Sequence, residues 1–127
     1  MTREEIGHLG EDRAQKYLLK NNYKIADTNF TTNLGEVDIV ATKNNIIAFV
    51  EVKTRVVGSF TRPVEAVSRS KRNKIIRTAQ LYMMRNYVKL QPRFDICEVT
   101  YYKETEEFKV TNYIKNAFQQ EGSYAAF

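Results

Sequence analysis

Asp38, Glu51 and Lys53 are the residues whose types and spacing suit chemistry; they stand in G-E-V-D at 35–38 and F-V-E-V-K at 49–53. Between them lie two short apolar runs broken by Lys43-Asn44-Asn45, the pattern of a β-hairpin. With Asn44-Asn45 as a two-residue loop, Lys43 pairs with Ile46. Asp38 then falls opposite Glu51, and Glu36 opposite Lys53. Alternation along the strands puts Glu36, Asp38, Glu51, Lys53 and Arg55 on one face. Directly opposed Cβ atoms lie roughly 5 Å apart, and like charges there are unfavourable. At an effective dielectric of about 20, two such carboxylates repel by about 3 kcal/mol. A hard divalent cation with oxygen ligands, Mg²⁺ or Mn²⁺, relieves that repulsion.

Carboxylates and a lysine beside further basic residues suit phosphodiester hydrolysis. In that chemistry a bound metal polarises the phosphate and lowers the pKa of water, while the lysine stabilises charge developing on phosphate oxygens. Glu11 adds a carboxylate if the first helix packs over the hairpin. The same spacing also fits an ordinary surface arrangement, with Glu36 paired to Lys53 and Glu51 to Arg55 or Lys53 on the exposed face of an edge hairpin. Spacing alone leaves both open.

The elements that must position these residues follow from local signals. Thr2-Arg3-Glu4-Glu5 fits a capping box and predicts a helix to about Asn21, with Ile6, Gly10, Ala14, Tyr17 and Leu18 on its apolar side. Glu11 sits at the edge of that side. A weak strand is expected over 23–30, then the hairpin strands over 35–42 and 46–55, then a loop over 56–62 containing Gly58 and Ser59. Pro63 starts a short turn or helix. Ser68 caps a second helix to about Tyr87, with Ile75, Ile76, Ala79, Tyr82 and Met83 buried. Strands over 93–101 and 108–114, joined by a turn at 103–107, complete an α/β fold: a mixed sheet core flanked by helices. Residues 1–127 read as one domain, with a loose tail from about 116.

Composition narrows the function class. A chain of 127 residues, 43% hydrophobic and 28% charged, reads as a soluble globular domain. Cys97 is the single cysteine and His8 the single histidine, so there is no internal disulfide and no zinc-ligand spacing. No stretch resembles a signal peptide or a membrane span, and a cytoplasmic location without a membrane partner is expected. Net charge is +5. Residues 53–77 carry eight basic side chains against Glu65 alone, so the rest of the chain is slightly acidic. That segment points to a polyanionic partner, with Arg55, Arg62, Arg69, Lys71, Arg72 and Lys74 as contacts. Gln80, off the apolar helix face, is a further candidate.

Taken in order, Glu11 in the first helix, G-E-V-D at 35–38 and F-V-E-V-K-T-R at 49–55 resemble the PD-(D/E)xK nuclease superfamily. The whole chain more closely resembles the YraN-like family of small bacterial proteins, predicted endonucleases related to archaeal Holliday-junction resolvases. G-x-x-G-E at 7–11, Glu65-Ala66-Val67 with Lys71, Ala79-Gln80-Leu81-Tyr82 and R-F-D at 93–95 carry that likeness. Val37 stands where the superfamily's name has proline. The resemblance implies a restriction-endonuclease-like fold, Asp38 and Glu51 as metal ligands, Lys53 as the catalytic lysine and Glu11 as an accessory acid. It also implies a backbone carbonyl of Val52 on the metal.

The expected function is therefore a Mg²⁺- or Mn²⁺-dependent endonuclease acting on DNA, with branched or flapped structures among the candidate substrates and a homodimer compatible. The alternatives are a nucleic-acid-binding module of the same fold without turnover, or a scaffold for a repair partner. His8 reads as helix surface, Cys97 and Tyr82 as packing, and Asp95 as half of a structural ion pair.

Overall fold

The structure is a computed structural model that describes residues 1–57 and 67–120. Gly58, Ser59, Arg62, Pro63 and Glu65, which carried the loop, turn and one basic contact of the sequence reading, lie outside the described residues. The elements run α1 (Arg3–Lys20), β1 (Lys24–Thr32), β2 (Gly35–Lys43), β3 (Ile46–Val57), α2 (Arg69–Arg85), β4 (Gln91–Tyr102) and β5 (Glu107–Phe118). This is the expected mixed α/β order. The five strands form one sheet in sequence order, antiparallel except for β3 and β4, which run parallel.

Both helices start where the sequence places them. Thr2 Oγ1 accepts from the Glu5 amide at 3.1 Å and the Glu5 carboxylate reaches back to Thr2, completing the capping box. Ser68 accepts from the Lys71 amide at 3.2 Å. α1 buries Gly10, Ala14 and Leu18 against one face of the sheet, with Ile39, Ala41, Ala48, Val50, Cys97 and Val99. α2 buries Ile75, Ile76, Ala79 and Tyr82 against the other, with Val40, Ile47, Phe49, Phe94 and Phe118. β3 is thus covered on both sides, which is why Ile46–Val50 reads as an unbroken apolar run. Phe49 is fully buried, stacked on Phe94 and edge-on to Tyr82; truncating such a ring typically costs about 3–5 kcal/mol.

Several expected bounds are corrected. β3 continues through Val57, so Val56 is strand, not loop. β1 begins after Tyr23, a buried anchor, and runs on to Thr32. β5 extends past Ile114 to Phe118, which is core, so the chain is not loose at 116. The extension includes Asn116 in a left-handed conformation (φ 53°) beside an irregularity in the β4–β5 ladder. Its amide donates to Asp95 Oδ1 at 2.9 Å. Asp95 is fully buried and also receives Arg93 Nε and the Tyr113 hydroxyl. It is the structural ion pair the sequence suggests. Cys97 is core, its thiol pushed up to about 12 by burial.

Candidate metal centre and nucleic-acid interface

Two glycines let both helices close on the same end of the sheet. A Cβ on Gly10 of α1 would lie 2.0 Å from Thr54 Oγ1 on β3. A Cβ on Gly35 at the start of β2 would lie 3.1 Å from Thr78 Oγ1 and 3.2 Å from Lys74 Cβ on α2. Glu11 follows Gly10 directly, and Glu36 follows Gly35. Helix contact therefore delivers one carboxylate from each element to this end.

The hairpin has the expected register from Lys43↔Ile46 to Ile39↔Val50. There the paired ladder stops, one step short of Asp38 and Glu51. A continued ladder would offer the Val52 amide to backbone; instead it donates to Asp38 Oδ2 at 2.8 Å. The face pattern also changes at Asp38. Val37 joins the α2-side core while Ile39, two residues on, joins the α1-side core. On β1, Asn29 lies between Thr28, partner of Ile39, and Phe30, partner of Val37, and takes a left-handed φ of 50°. The expectation that Glu36, Asp38, Glu51, Lys53 and Arg55 share one face by simple alternation is corrected by this local twist.

The result is two linked groups. Carboxylate oxygens of Glu11, Glu36 and Asp38 all lie within 4.8 Å of one another. Asn29 Nδ2 donates to Glu11 Oε2 and Glu36 Oε1, both at 3.1 Å, tying α1 to β2. Burial, then the nearby Glu51 charge, push the Asp38 carboxyl up to about 8, with Glu11 and Glu36 adding to the rise and the Val52 amide opposing it. Glu51, 5% exposed, is met by Lys71 Nζ at 2.7 Å and Lys53 Nζ at 3.5 Å. Burial and the adjacent Lys71 hold Lys53 below the usual lysine range, against the pull of Glu51. Burial also works against charge on Lys71, but its contact with Glu51 outweighs this and raises it.

Of the expected site residues, Glu11, Asp38, Glu51 and Lys53 are brought together. The ordinary surface arrangement fails in its main particular, since Glu51 is buried rather than on an exposed edge, though its Lys53 partner is as that arrangement had it. Glu36 is held by Asn29, not by Lys53. Val52 meets the site through its amide. Glu36 and Asn29 are additions that sequence spacing missed. Lys71, expected as a substrate contact, reaches into the centre itself.

The basic surface is sorted in the same way. Arg55, Arg69 and Lys74 are exposed. Arg72 donates to the Val67 carbonyl at 2.8 Å and covers the Phe118 ring, and Gln80 donates to Gln120 at 3.3 Å. Both are engaged within the fold. Their assignment as substrate contacts has no support from these interactions.

Three carboxylates with converging hard oxygen donors fit Mg²⁺ or Mn²⁺ rather than a soft metal. With its carboxyl pushed up to about 8, Asp38 would have to release its proton to serve as a ligand.

Residues 10–99, spanning Gly10 through most of β4, match the family described as Uncharacterised protein family UPF0102. The chain belongs to the UPF0102 family. It is 43% identical over 119 residues to a UPF0102 protein of Caldanaerobacter subterraneus, covering 93% of this chain and 98% of that one. A UPF0102 protein of Clostridium beijerinckii is 44% identical over 118 residues, with 91% and 94% covered. One of Alkaliphilus metalliredigens is 45% identical over 114 residues, with 89% and 96% covered. The YraN-like resemblance of the sequence is thereby shown at the level of family. The UPF0102 match takes in every carboxylate and lysine of the centre. Among the described residues, no helix is long and apolar enough to cross a membrane.

Proposed function

We propose that this UPF0102 protein is a Mg²⁺- or Mn²⁺-dependent endonuclease that hydrolyses phosphodiester bonds in DNA. The observation that carries the reading is the convergence of Glu11, Glu36 and Asp38 within 4.8 Å, beside buried Glu51 and two lysines. Glu11, Glu36 and Asp38 would hold the cation, with Glu51 completing its acidic surroundings once Lys71 moves aside. The cation, when bound, supplies polarisation of the phosphate and a water of lowered pKa. Lys53 then donates from its ammonium to a phosphate oxygen as charge builds there. Exposed Arg55, Arg69 and Lys74 neutralise neighbouring phosphates and hold the strand across the carboxylates.

A second reading, a nucleic-acid-binding module without turnover, draws on the Lys71–Glu51 contact. An ammonium 2.7 Å from Glu51 already neutralises it without metal. A cleavage screen separates the two: branched, flapped, single-stranded and duplex DNA with Mg²⁺ or Mn²⁺, wild type beside Asp38→Asn. Cleavage by wild type alone supports the enzyme. Equal products from both proteins point to a contaminant, and salt-sensitive binding without products supports the module.

A further inference from the structure

α1 divides the surface of the molecule. At about 100° per residue, Glu11 lies on one flank of the buried line Gly10, Ala14 and Leu18, towards Asn29 and Glu36. Arg13, Tyr17 and Lys20 lie on the other flank, towards β5. There Arg13, Lys16, Tyr17 and Lys20 meet Lys109 and Val110 around a cavity of about 360 Å³. Four of the six lining residues are cations and none is acidic. Tyr17 is stacked on Tyr113 of β5 with ring centroids 5.4 Å apart, which ties the helix to the sheet beside the cavity.

This pocket is distinct from the α2 surface, which lies on the opposite face of the sheet. Among the described residues its charge is only weakly engaged: Lys109 Nζ lies 5.5 Å from the centroid of the Tyr102 ring. Lys109 approaches Glu107 at 3.5 Å, but both side chains are more than half exposed (58% and 57%), and such pairs contribute little. Lys20, in the last turn, complements the α1 dipole; Arg13, mid-helix, and Lys109, on β5, have no such role. Cations gathered round a concavity repel one another, and a bound anion turns that cost into attraction.

We propose that this α1–β5 pocket is a phosphate-binding site, which seats a backbone phosphate of the nucleic acid remote from the carboxylates. The identity of the ligand rests on the nuclease reading; the pocket's chemistry does not. Arg13 supplies a planar fork suited to two phosphate oxygens, and the lysines supply point charge. Tyr17, held by its stacking on Tyr113, supplies an apolar wall to the cavity. Nucleic acid is thus held on both faces of the sheet.

The test uses the full chain in EDTA, so that no turnover occurs. Binding of a fluorescent duplex is followed against salt for wild type, Lys20→Gln/Lys109→Gln, Lys20→Arg/Lys109→Arg, and Arg55→Gln/Lys74→Gln on the other face. In parallel, pyrophosphate is titrated into isotope-labelled wild type and the Gln pair, and amide shifts are read. The Gln pair is expected to bind duplex about tenfold more weakly, with a salt slope shallower by about 0.9 for each phosphate no longer neutralised; the Arg pair stays near wild type. Pyrophosphate should shift residues 13–20 and 109–110 saturably in wild type and not in the Gln pair. Undiminished duplex binding by the Gln pair, with Arg55→Gln/Lys74→Gln impaired, overturns the inference and leaves the nuclease reading standing. Pyrophosphate shifts at the pocket without any nucleic-acid binding keep the phosphate site and sink the nuclease reading. No saturable shift at the pocket overturns the inference whatever the duplex does.

Discussion

Lys71 Nζ lies 2.7 Å from Glu51 Oε1, joining the first turn of α2 to the middle of β3. The helix that presents basic residues to solvent is thereby tied to a buried carboxylate of the candidate metal centre. A cation held by these carboxylates would share one acidic neighbourhood with the Lys71 ammonium, and each would weaken the hold of the other.

Lys71→Ala is expected to lower metal-free stability by about 1 kcal/mol, the modest figure reflecting a lysine side chain 46% exposed. It should also tighten Mn²⁺ binding, because a competing charge is gone. Thermal unfolding in EDTA and calorimetry with Mn²⁺ check both parts. Weaker Mn²⁺ binding by the variant would show that Lys71 supports the site rather than competing for it.

Asp38 gives the pH dependence. Its carboxyl sits at about 8 in the folded chain, against an unfolded value of about 3.9. Between those values the folded state keeps a proton that the unfolded chain has lost, so stability falls as pH rises, and the loss is complete above about 8. Asp38→Asn keeps an oxygen for the Val52 amide and does not ionise. In EDTA it should melt higher than wild type at pH about 8 and equally near pH about 4. A variant that melts lower at the alkaline end would show that Asp38 is charged in the metal-free fold.

The proposed nuclease reading gives Lys53 and the carboxylates separable roles. A protonated lysine has no lone pair for metal, so Lys53→Ala should slow single-turnover cleavage on the order of 100-fold while Mn²⁺ still binds. Asp38→Asn should lose both. Wild-type cleavage by Lys53→Ala would leave Lys53 as only the partner of Glu51 on its own strand.

Gly10→Ala tests how α1 delivers Glu11. The new methyl would meet Thr54 Oγ1 at 2.0 Å, so the helix must lift from β3. Overpacking of this kind costs about 1–3 kcal/mol, and Mn²⁺ affinity should fall with it. Thr54→Ala in the same chain removes the hydroxyl and should return part of both. Additive losses in the double variant would exclude a direct clash.

Much of this architecture was legible in the residues. Asn44-Asn45 set the hairpin register, Thr2 and Ser68 marked both helix starts, and the apolar spacing of α2 named its buried face, apart from Thr78. What spacing could not supply was the twist at Asp38. It depends on Asn29 in a left-handed conformation on the neighbouring strand, and on a side chain replacing backbone at Val52. Alternation counts residues along one strand and is blind to both. Glu36 was therefore paired with Lys53 instead of joining Glu11. Lys71 looked like one more charge on a basic helix, because its reach to Glu51 depends on how α2 sits over the sheet. The length of β5 was hidden by Lys115 and Asn116, polar residues whose pattern breaks at the irregular ladder.

The turn at Asn44 and Asn45 acts as a length gauge. β3 is locked to β4 in unbroken parallel register from Ile46↔Gln91 to Val57↔Tyr102, so an extra residue in the turn could not slide β3. It would slide the β1–β2 ribbon instead, and a one-residue slip reverses which face each side chain meets. Glu36 and Asp38 would part from Glu11 and Glu51, and Val37 and Val40, packed under α2, would turn away from it with them. The acidic centre and the core residues of β2 thus depend on the same two-residue turn.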